Sequence, residues 1–205
     1  MAPLVESPIV EESFTLIDRE FGPHTLTPAE YAVVRRVIHS TADFDFKHLV
    51  RFSPGAIAAG LAAIRAGCPI LVDVTMVRQG IAGMVQRTFQ NSLVTAVTLV
   101  ETAAPGRTRT ETGLLQGLAQ VPGAIVVIGN APTALLSLCD QIEAGTAWPA
   151  LVVGAPVGFV AVEAAKQRLA QQPIPQIRVE GRKGGSAVAA AIVNALLVMA
   201  CHQRP

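Results

Sequence analysis

Short apolar runs recur along the chain from residue 70 onward and predict buried β-strands. The middle three are almost continuous valine, isoleucine, leucine and alanine, which is typical of strands that helices cover on both faces of a parallel sheet. The five predicted strands are residues 70–74, 93–100, 124–128, 150–153 and 176–179.

Helical patterns separate these runs, and the alternation of strand and helix predicts right-handed βαβ units. The predicted helices between and after the strands are residues 110–119, 133–144, 159–171 and 186–200. We therefore predict the α/β class, with residues 1–205 forming a single-domain, three-layer α/β/α fold around a mainly parallel sheet of about five strands.

Three helix starts are predicted before the first of these strands, because each places a capping hydroxyl ahead of a proline at the first helical position. They are Ser7-Pro8, Thr27-Pro28 and Ser53-Pro54. The Thr27 start also has Glu30 three residues later, which completes a capping box. We expect the helix from Pro28 to reach about His39, and the helix from Pro54 to stop at Gly67.

The composition narrows the range of partners. Of the 205 residues, 51% are hydrophobic and only 15% are charged, so the chain can bury a generous core. A net charge of +1 and 4% aromatic residues give no basis for binding nucleic acid. The apolar stretch 186–201 is short for a membrane span and contains Asn194, so it predicts a buried helix and no membrane association.

Cysteine usage and the first residues indicate a cytoplasmic protein. Cys68, Cys139 and Cys201 are far apart and form no C-x-x-C pair, as expected in a reducing compartment. Residues 1–6 contain neither the basic nor the apolar segment of a signal peptide. The spacing of histidines, cysteines and carboxylates resembles no metal site, so we predict no metal and no other cofactor.

Three successive glycine-containing loops follow predicted strands and open helices. They are residues 129–133, 154–158 and 181–186. Ligands of open parallel sheets bind beyond the carboxyl ends of the strands, where glycines let the backbone approach them. The third loop adds Arg182, Lys183 and Ser186, which suit an anion. Glycine also follows strands simply because the chain must turn, and no loop has the spacing of a nucleotide-binding fingerprint.

The segment around His39 contains the densest set of reactive residues. His39 falls at the predicted C-terminal end of a helix, where the partial negative charge favours a protonated imidazole. Asp43 and Asp45 follow closely and are expected to act in the same direction. A histidine held protonated near neutral pH can serve as a general acid. The alternative is a structural histidine that bonds the last carbonyls of the helix.

These segments together resemble the precorrin-8X methylmutase family. The most specific matches are the histidine motif at residues 38–46 and the Gly-Asn-Ala-Pro-Thr-Ala-Leu run at residues 129–135. The other matching segments are Ser13-Phe14, residues 73–77 with Gly80-Ile81, and residues 154–160 and 181–186. One departure follows Thr108-Arg109, where this chain has Thr110-Glu111-Thr112-Gly113 in place of the family's serine and small residues.

The resemblance implies a homodimeric enzyme that moves a methyl group from C-11 to C-12 of a corrin-precursor ring. The reaction gives hydrogenobyrinate from precorrin-8X, or cobyrinate from cobalt-precorrin-8, and the sequence leaves the metal content of the substrate open. The resemblance assigns acid catalysis to His39. The implied substrate-binding residues are Ser13, Thr75, Met76, Arg109, Asn130, Arg182, Lys183 and Ser186.

This chemistry suits the residues present. A concerted methyl shift needs no nucleophile and no redox partner, whereas one placed proton donor can set the tautomer of the ring. The substrate carries several carboxylates, for which Arg109, Arg182 and Lys183 are natural partners. Two alternatives use the same loops: a non-catalytic tetrapyrrole-binding protein, and a phosphate- or nucleotide-binding α/β enzyme. The apolar, small-residue helix 186–201, together with the family, also favours a homodimer.

Overall fold

The fold is described from a computed structural model that covers residues 7–202, and within that segment six strands form one sheet. The strands are β1 (Val50–Phe52), β2 (Ile70–Val72), β3 (Leu93–Thr95), β4 (Ile125–Ile128), β5 (Leu151–Gly154) and β6 (Gln176–Val179). Their order across the sheet is β1-β6-β5-β4-β2-β3. Only the pairing of β1 with β6 is antiparallel, so the other five strands end at the same edge.

Helices precede, connect and cover these strands. They are α1 (Pro8–Phe21), α2 (Pro28–Thr41), α3 (Phe46–Leu49), α4 (Ala56–Arg65), α5 (Thr75–Arg87), α6 (Ala96–Leu99), α7 (Arg109–Gln120), α8 (Pro132–Glu143), α9 (Val162–Ala170) and α10 (Ser186–His202). None of the helices between residues 7 and 202 combines the length and the apolar character needed to cross a bilayer.

Alternate side chains of the central strands enter two separate cores. In β4, Ile125 and Val127 contribute to a core shared with α1, α2, α4, α5 and α10. Val126 and Ile128 of the same strand contribute to the opposite core, with α7, α8 and α9. Because both faces are covered, the central strands β2, β4 and β5 contain no polar side chain, and the predicted three-layer α/β/α class is confirmed.

Helix α10 lies at the centre of the larger core. It packs against α2, α4 and α5, and its buried side chains face all three. A Cβ added to Gly80 of α5 would lie 2.7 Å from the Cβ of Ala190, and Asn194 Nδ2 donates to the carbonyl oxygen of Gly80 at 3.0 Å. The prediction of a buried helix is confirmed. Contacts within one subunit account for its apolar sequence, so this helix does not support a homodimer.

The structure corrects the predicted sheet at two strands. Strand β1 was missed because it has only three residues and alternates around Arg51, which gives too short a pattern to recognise. The predicted strand 93–100 ends at Thr95, and the apolar residues that follow form helix α6. A Cβ on Gly113 would collide with the carbonyl oxygen of Ala96, so the glycine of α7 lets that helix pack closely on the turn.

Two of the three predicted helix starts are confirmed at the proline. Helix α1 begins at Pro8, and helix α2 begins at Pro28 with the capping box between Thr27 and Glu30. The third prediction is wrong in detail, because α4 begins at Ala56 and the Ser53 hydroxyl accepts a bond from the backbone N–H of Gln176 at 2.9 Å. The predicted end of that helix at Gly67 is confirmed within two residues, since α4 ends at Arg65. The predicted helix 159–171 begins later, at Val162.

Candidate functional site

The predicted site residues lie along the carboxyl edge of the parallel strands. Thr75 and Met76 form the first turn of α5 after β2, and Asn130 lies in the loop after β4. The loop after β6 carries Arg182 and Lys183. Ser186 then begins α10. These are the loops where open parallel sheets bind ligands.

Arg109 reaches the same edge through helix α7. Its neighbour Thr108 caps α7, and the Thr108 hydroxyl lies 3.0 Å from the hydroxyl of Thr133 in the first turn of α8. Residues 110–113, where this chain departs from the family pattern, have a structural role. Glu111 closes the capping box and accepts a bond from the Ser137 hydroxyl at 2.7 Å. The exposed Arg109 side chain therefore remains at the start of α7.

Asp73 fixes the loop that contains Asn130. Its buried carboxylate accepts bonds from the backbone N–H groups of Gly129 at 3.1 Å, Asn130 at 2.7 Å and Ala131 at 2.9 Å. Burial raises the pKa of Asp73, and the three donors act in the opposite direction. The sequence signal for this role is a single carboxylate, Asp73, that directly follows the apolar residues of β2.

The Gly129 backbone packs closely between the first turns of α5 and α10. A Cβ at this position would lie 2.6 Å from the Cγ2 of Val77 in α5 and 3.0 Å from the Cα of Ser186 in α10. Only glycine permits this approach, which brings the loop after β4 against the first turn of α10. Ser186 is consequently buried, unlike the other predicted substrate-binding residues of this edge.

The loop after β6 rests on the loop after β5. Gly184 has φ +154°, and a Cβ there would lie 2.5 Å from the carbonyl oxygen of Ala155 and 2.7 Å from that of Pro156. The backbone N–H of Gly185 donates to the same Ala155 oxygen at 2.8 Å. Two of the three predicted glycine loops are thus in direct contact.

Lys183 joins this loop to the segment that follows His39. Its Nζ lies 2.6 Å from Oδ2 of Asp43 and 2.7 Å from Oδ2 of Asp45. The two carboxylates raise the pKa of Lys183, and the ammonium lowers the pKa of Asp43. Both aspartates bind Lys183, whereas the sequence predicts that they act on His39. Lys183 is thus paired within the protein, and its role toward substrate carboxylates stays a prediction.

His39 lies half-buried in the last turn of α2, with one ring packed against it. The Phe14 ring of α1 meets the imidazole edge-on, with centroids 5.3 Å apart. The guanidinium of Arg35 stands 4.3 Å above the centroid of Phe14 and pairs with Asp18 at 3.1 Å. A chain of contacts from Asp18 through Arg35 and Phe14 thus reaches the imidazole from the side of α1.

Near the end of α2, the carbonyls of Val37 and Ile38 are bonded by groups other than His39. The backbone N–H of Ala42, in the left-handed conformation, donates to the carbonyl of Ile38 at 2.7 Å. The hydroxyls of Ser40 and Thr41 donate to the carbonyl of Val37 at 3.0 and 2.9 Å. These two carbonyls are thus bonded without the imidazole of His39.

Ser13 is the neighbour of Phe14 on α1. Its hydroxyl donates to the carbonyl of Ile9 at 2.8 Å, as serines within helices commonly do. The oxygen retains a lone pair for accepting a second bond. Ser13 thus lies on the helix that contacts His39, although its proton is engaged.

Exposed apolar side chains stand beside the basic residues at this edge. Phe159 and Val160 of the loop before α9 are 83% and 85% exposed, and Met76 is 71% exposed. Arg182 has its guanidinium 5.7 Å from the Phe159 centroid and pairs with Glu163 at 3.4 Å. The sequence does not identify Phe159 and Val160 as surface groups, because its pattern predicts a helix over residues 159–171. The edge therefore combines cationic and apolar surface.

No group of three or more histidine, cysteine, aspartate or glutamate side chains among residues 7–202 could hold a metal ion. Cys68, Cys139 and Cys201 are all free thiols.

Comparison with known proteins assigns this arrangement to a family. The family pattern of precorrin-8X methylmutase matches residues 8–199. A cobalt-precorrin-8 methylmutase from Synechocystis is 58% identical, over 99% of this chain and 100% of that protein. A precorrin-8X methylmutase from Pseudomonas aeruginosa is 40% identical, over 92% of this chain and 93% of that protein.

Solved structures agree with the sequence relatives. The crystal structure of precorrin-8X methylmutase from Thermus thermophilus superposes with a TM-score of 0.87 at 46% identity, covering 96% of this chain and 98% of that one. Fold and relatives together define an isomerase of cobalamin biosynthesis. The chain belongs to the precorrin-8X methylmutase family. This assignment favours an isomerase over the tetrapyrrole carrier and the nucleotide-binding enzyme.

Proposed function

We propose that this protein moves the methyl group of precorrin-8X, or of cobalt-precorrin-8, from C-11 to C-12, with His39 as the general acid. The bond from the methyl carbon to C-11 breaks as the bond to C-12 forms, so that substrate and product are isomers. The relatives named for these two substrates support the reaction. The residues that bring His39 to the sheet edge support the assignment of the acid.

The single observation that carries the proposal is the contact of Lys183 with Asp43 and Asp45. It attaches the end of α2, with His39 on its last turn, to the loop after β6. A proton donor is effective only when it is held within reach of the reacting group, and this contact holds the histidine segment against the ligand-binding edge.

The remaining residues suit a large polyanionic ring. The exposed guanidinium groups of Arg109 and Arg182 can form paired hydrogen bonds with acetate and propionate groups. Met76 and Phe159 present apolar surface to the faces of the ring. Thr75 and Asn130 supply neutral hydrogen-bonding groups at the same edge. We assign catalysis to His39 and the binding of the ring to these groups.

Ser186 and Ser13 have different places in this proposal. Ser186 is buried behind Gly129, so its part is to start α10, whose first N–H groups are suited to a carboxylate. Ser13 can accept a hydrogen bond beside His39, on the helix that packs against it.

We also propose that the protein is a homodimer, as the family resemblance implies, and light scattering at micromolar concentration measures this directly.

Incubation with precorrin-8X and with cobalt-precorrin-8 in parallel tests the reaction. The visible spectrum reports the shift, because a saturated carbon interrupts the conjugation before the reaction and the conjugation is longer afterwards. Conversion of one substrate at a much higher kcat/KM identifies the natural one. Failure to convert either substrate would contradict the proposed function.

A further inference from the structure

Lys166 of helix α9 is a buried cation beneath the loop after β6. Its side chain is 2% exposed, which is unusual for a lysine. The Nζ donates to the carbonyl oxygens of Gly181 and Lys183, both at 2.7 Å. These two carbonyls stand on either side of Arg182, so Lys166 holds the loop at the residues that present the basic side chains to the edge.

A buried ammonium is costly, so its presence calls for a specific reason. Burial lowers the pKa of Lys166 to about 8, and the carboxylate of Glu163 acts in the opposite direction. Glu163 is itself paired with Arg182 at 3.4 Å. Carbonyl dipoles of the loop are thus the direct partners of the Lys166 charge. An apolar side chain would fill this place in the core at less cost but would leave both carbonyls without this donor.

The contacts of Lys166 continue to the histidine segment through one residue. The carbonyl of Lys183 accepts a bond from Lys166, while the Nζ of Lys183 binds Asp43 and Asp45. Both aspartates lie within six residues of His39. A displacement of the loop at Lys183 would therefore move the anchor of the segment that contains the catalytic histidine.

We propose that Lys166 is a positioning residue for the methyl shift: it sets the height of the 181–185 loop, and through Lys183 it holds the His39 segment over the sheet edge. The proposal rests on the site assigned above. Lys166 is buried and its Nζ binds carbonyls of the loop, so it acts through the loop and not on the substrate. A displacement of about 1 Å at a reacting group can cost on the order of 100-fold in rate.

The test compares two buried substitutions that remove similar bonds in different places. Lys166→Met removes the two hydrogen bonds to the loop and approximately keeps the length of the side chain. Gln176→Met is the matched control, because the Gln176 Nε2 donates to the carbonyls of Leu169 and Gln172 at the end of α9, outside the loop. Both variants lose buried hydrogen bonds and should lose Tm. We expect kcat to fall by about 10–100-fold in Lys166→Met only.

A double-substitution cycle tests the path from Lys166 to His39. Lys183→Met breaks the link to Asp43 and Asp45 while leaving Lys166 in place, so it should lower kcat by itself. If Lys166 acts through Lys183, the combined variant loses no more than the more damaging single variant. Additive losses would overturn the proposal. An unchanged kcat in Lys183→Met would also overturn it, whatever the stability of Lys166→Met.

Hydrogen exchange supplies a readout that does not depend on the reaction. In Lys166→Met, amide exchange should accelerate in residues 181–185 and also in residues 40–46, whereas Gln176→Met should leave residues 40–46 unchanged. Unchanged exchange in residues 40–46 of Lys166→Met would refute the link even if the loop itself loosens. Because exchange is measured without substrate, an inactive parent would refute the proposed function and leave this test intact. Equal losses of kcat in the two variants at equal loss of Tm would reduce Lys166 to a purely structural residue.

Discussion

Lys183 and Asp43 are 140 positions apart in the chain, yet the Nζ of one lies 2.6 Å from the Oδ2 of the other. Their contact joins a loop at the carboxyl edge of the sheet to the end of a helix that belongs to the outer layer. His39 lies four residues before Asp43, on a helix that also packs against α10. The partly exposed salt bridge thus adds a direct link between the segment that follows His39 and the loop after β6.

His39→Ala should lower the rate of the methyl shift by at least about 100-fold, since positioned acid–base groups typically contribute 10²–10⁴-fold. The variant should fold, because bonds from Ala42, Ser40 and Thr41 close the end of α2 without the imidazole. It should also keep its affinity for the product. The measurement is the visible spectrum during turnover, with His48→Ala as the control at an exposed histidine. A variant that retains more than about a tenth of the parent rate would remove His39 from the chemistry.

Arg109→Ala should weaken product binding by about 1.5–3 kcal/mol, the range for a charge-assisted hydrogen bond. Affinity should decrease with salt in the parent and less steeply in the variant, because one charge contact has been removed. The matched control is Arg107→Ala, whose exposed guanidinium pairs with Glu111 at 3.7 Å. Titration at several salt concentrations measures both effects. Equal affinities and equal salt slopes for the parent and Arg109→Ala would contradict the assignment.

Asp73→Asn should lower the free energy of unfolding by about 1–3 kcal/mol, because at least one buried backbone donor then loses its acceptor. The amide keeps the size of the carboxylate but turns an N–H group toward the N–H groups of residues 129–131. Chemical denaturation measures the loss. Asp140→Asn is the control at an exposed carboxylate that pairs with Arg168 at 2.6 Å. A loss no larger than that of the control would show that the carboxylate is not needed to hold this loop.

The stability difference between the parent and Lys166→Met should depend on pH. The pKa of Lys166 is about 8 in the folded protein and 10.5 in an unperturbed lysine. Between these values the unfolded parent binds a proton at this side chain that the folded parent has released, so raising the pH favours folding. The parent should thus gain up to about 3 kcal/mol relative to the variant from pH 8 to pH 10.5.

The two proteins share every other titratable group. The difference between their free energies of unfolding therefore reports the titration of Lys166 alone. Denaturant unfolding of both proteins at pH 7, 8.5 and 10 provides the measurement. The gain should be absent below pH 8 because Lys166 is then protonated in both the folded and the unfolded parent. A difference that stays constant, or that shrinks as the pH rises, would contradict the lowered pKa.

The sequence predicts the strands whose residues form a recognisable apolar run. The central strands β2, β4 and β5 are covered on both faces and contain no polar side chain, and the sequence predicts these three together with β3 and β6. The edge strand Val50–Phe52 lacks that pattern because it is short and pairs on one side only. The run 93–100 was read as one strand, since apolar composition alone does not distinguish β3 from the short buried helix α6.

The candidate site was predicted through its exposed groups, and the groups that hold it in place were missed. Lys166 has the sequence context of an ordinary helix-surface lysine, and only the fold shows that its side chain is buried under a loop. The partners of Lys183 were missed for the same reason, because contact between residues 43 and 183 depends on how α2 packs over α10. Local sequence patterns carry no information about such distant pairs.

The position of α10 and β6 has a consequence for how the protein is made. Strand β1 pairs with β6, where Val50 is opposite Val179, and α2 packs on α10 at the end of the chain. The ribosome must therefore add about 130 residues after β1 before its partner exists, which takes on the order of ten seconds at 5–20 residues per second. During that interval the face of α2 that packs on α10 has no native surface to cover it. Folding of the N-terminal region must wait for the last helix, and a nascent chain stalled before residue 186 is a natural client for a chaperone.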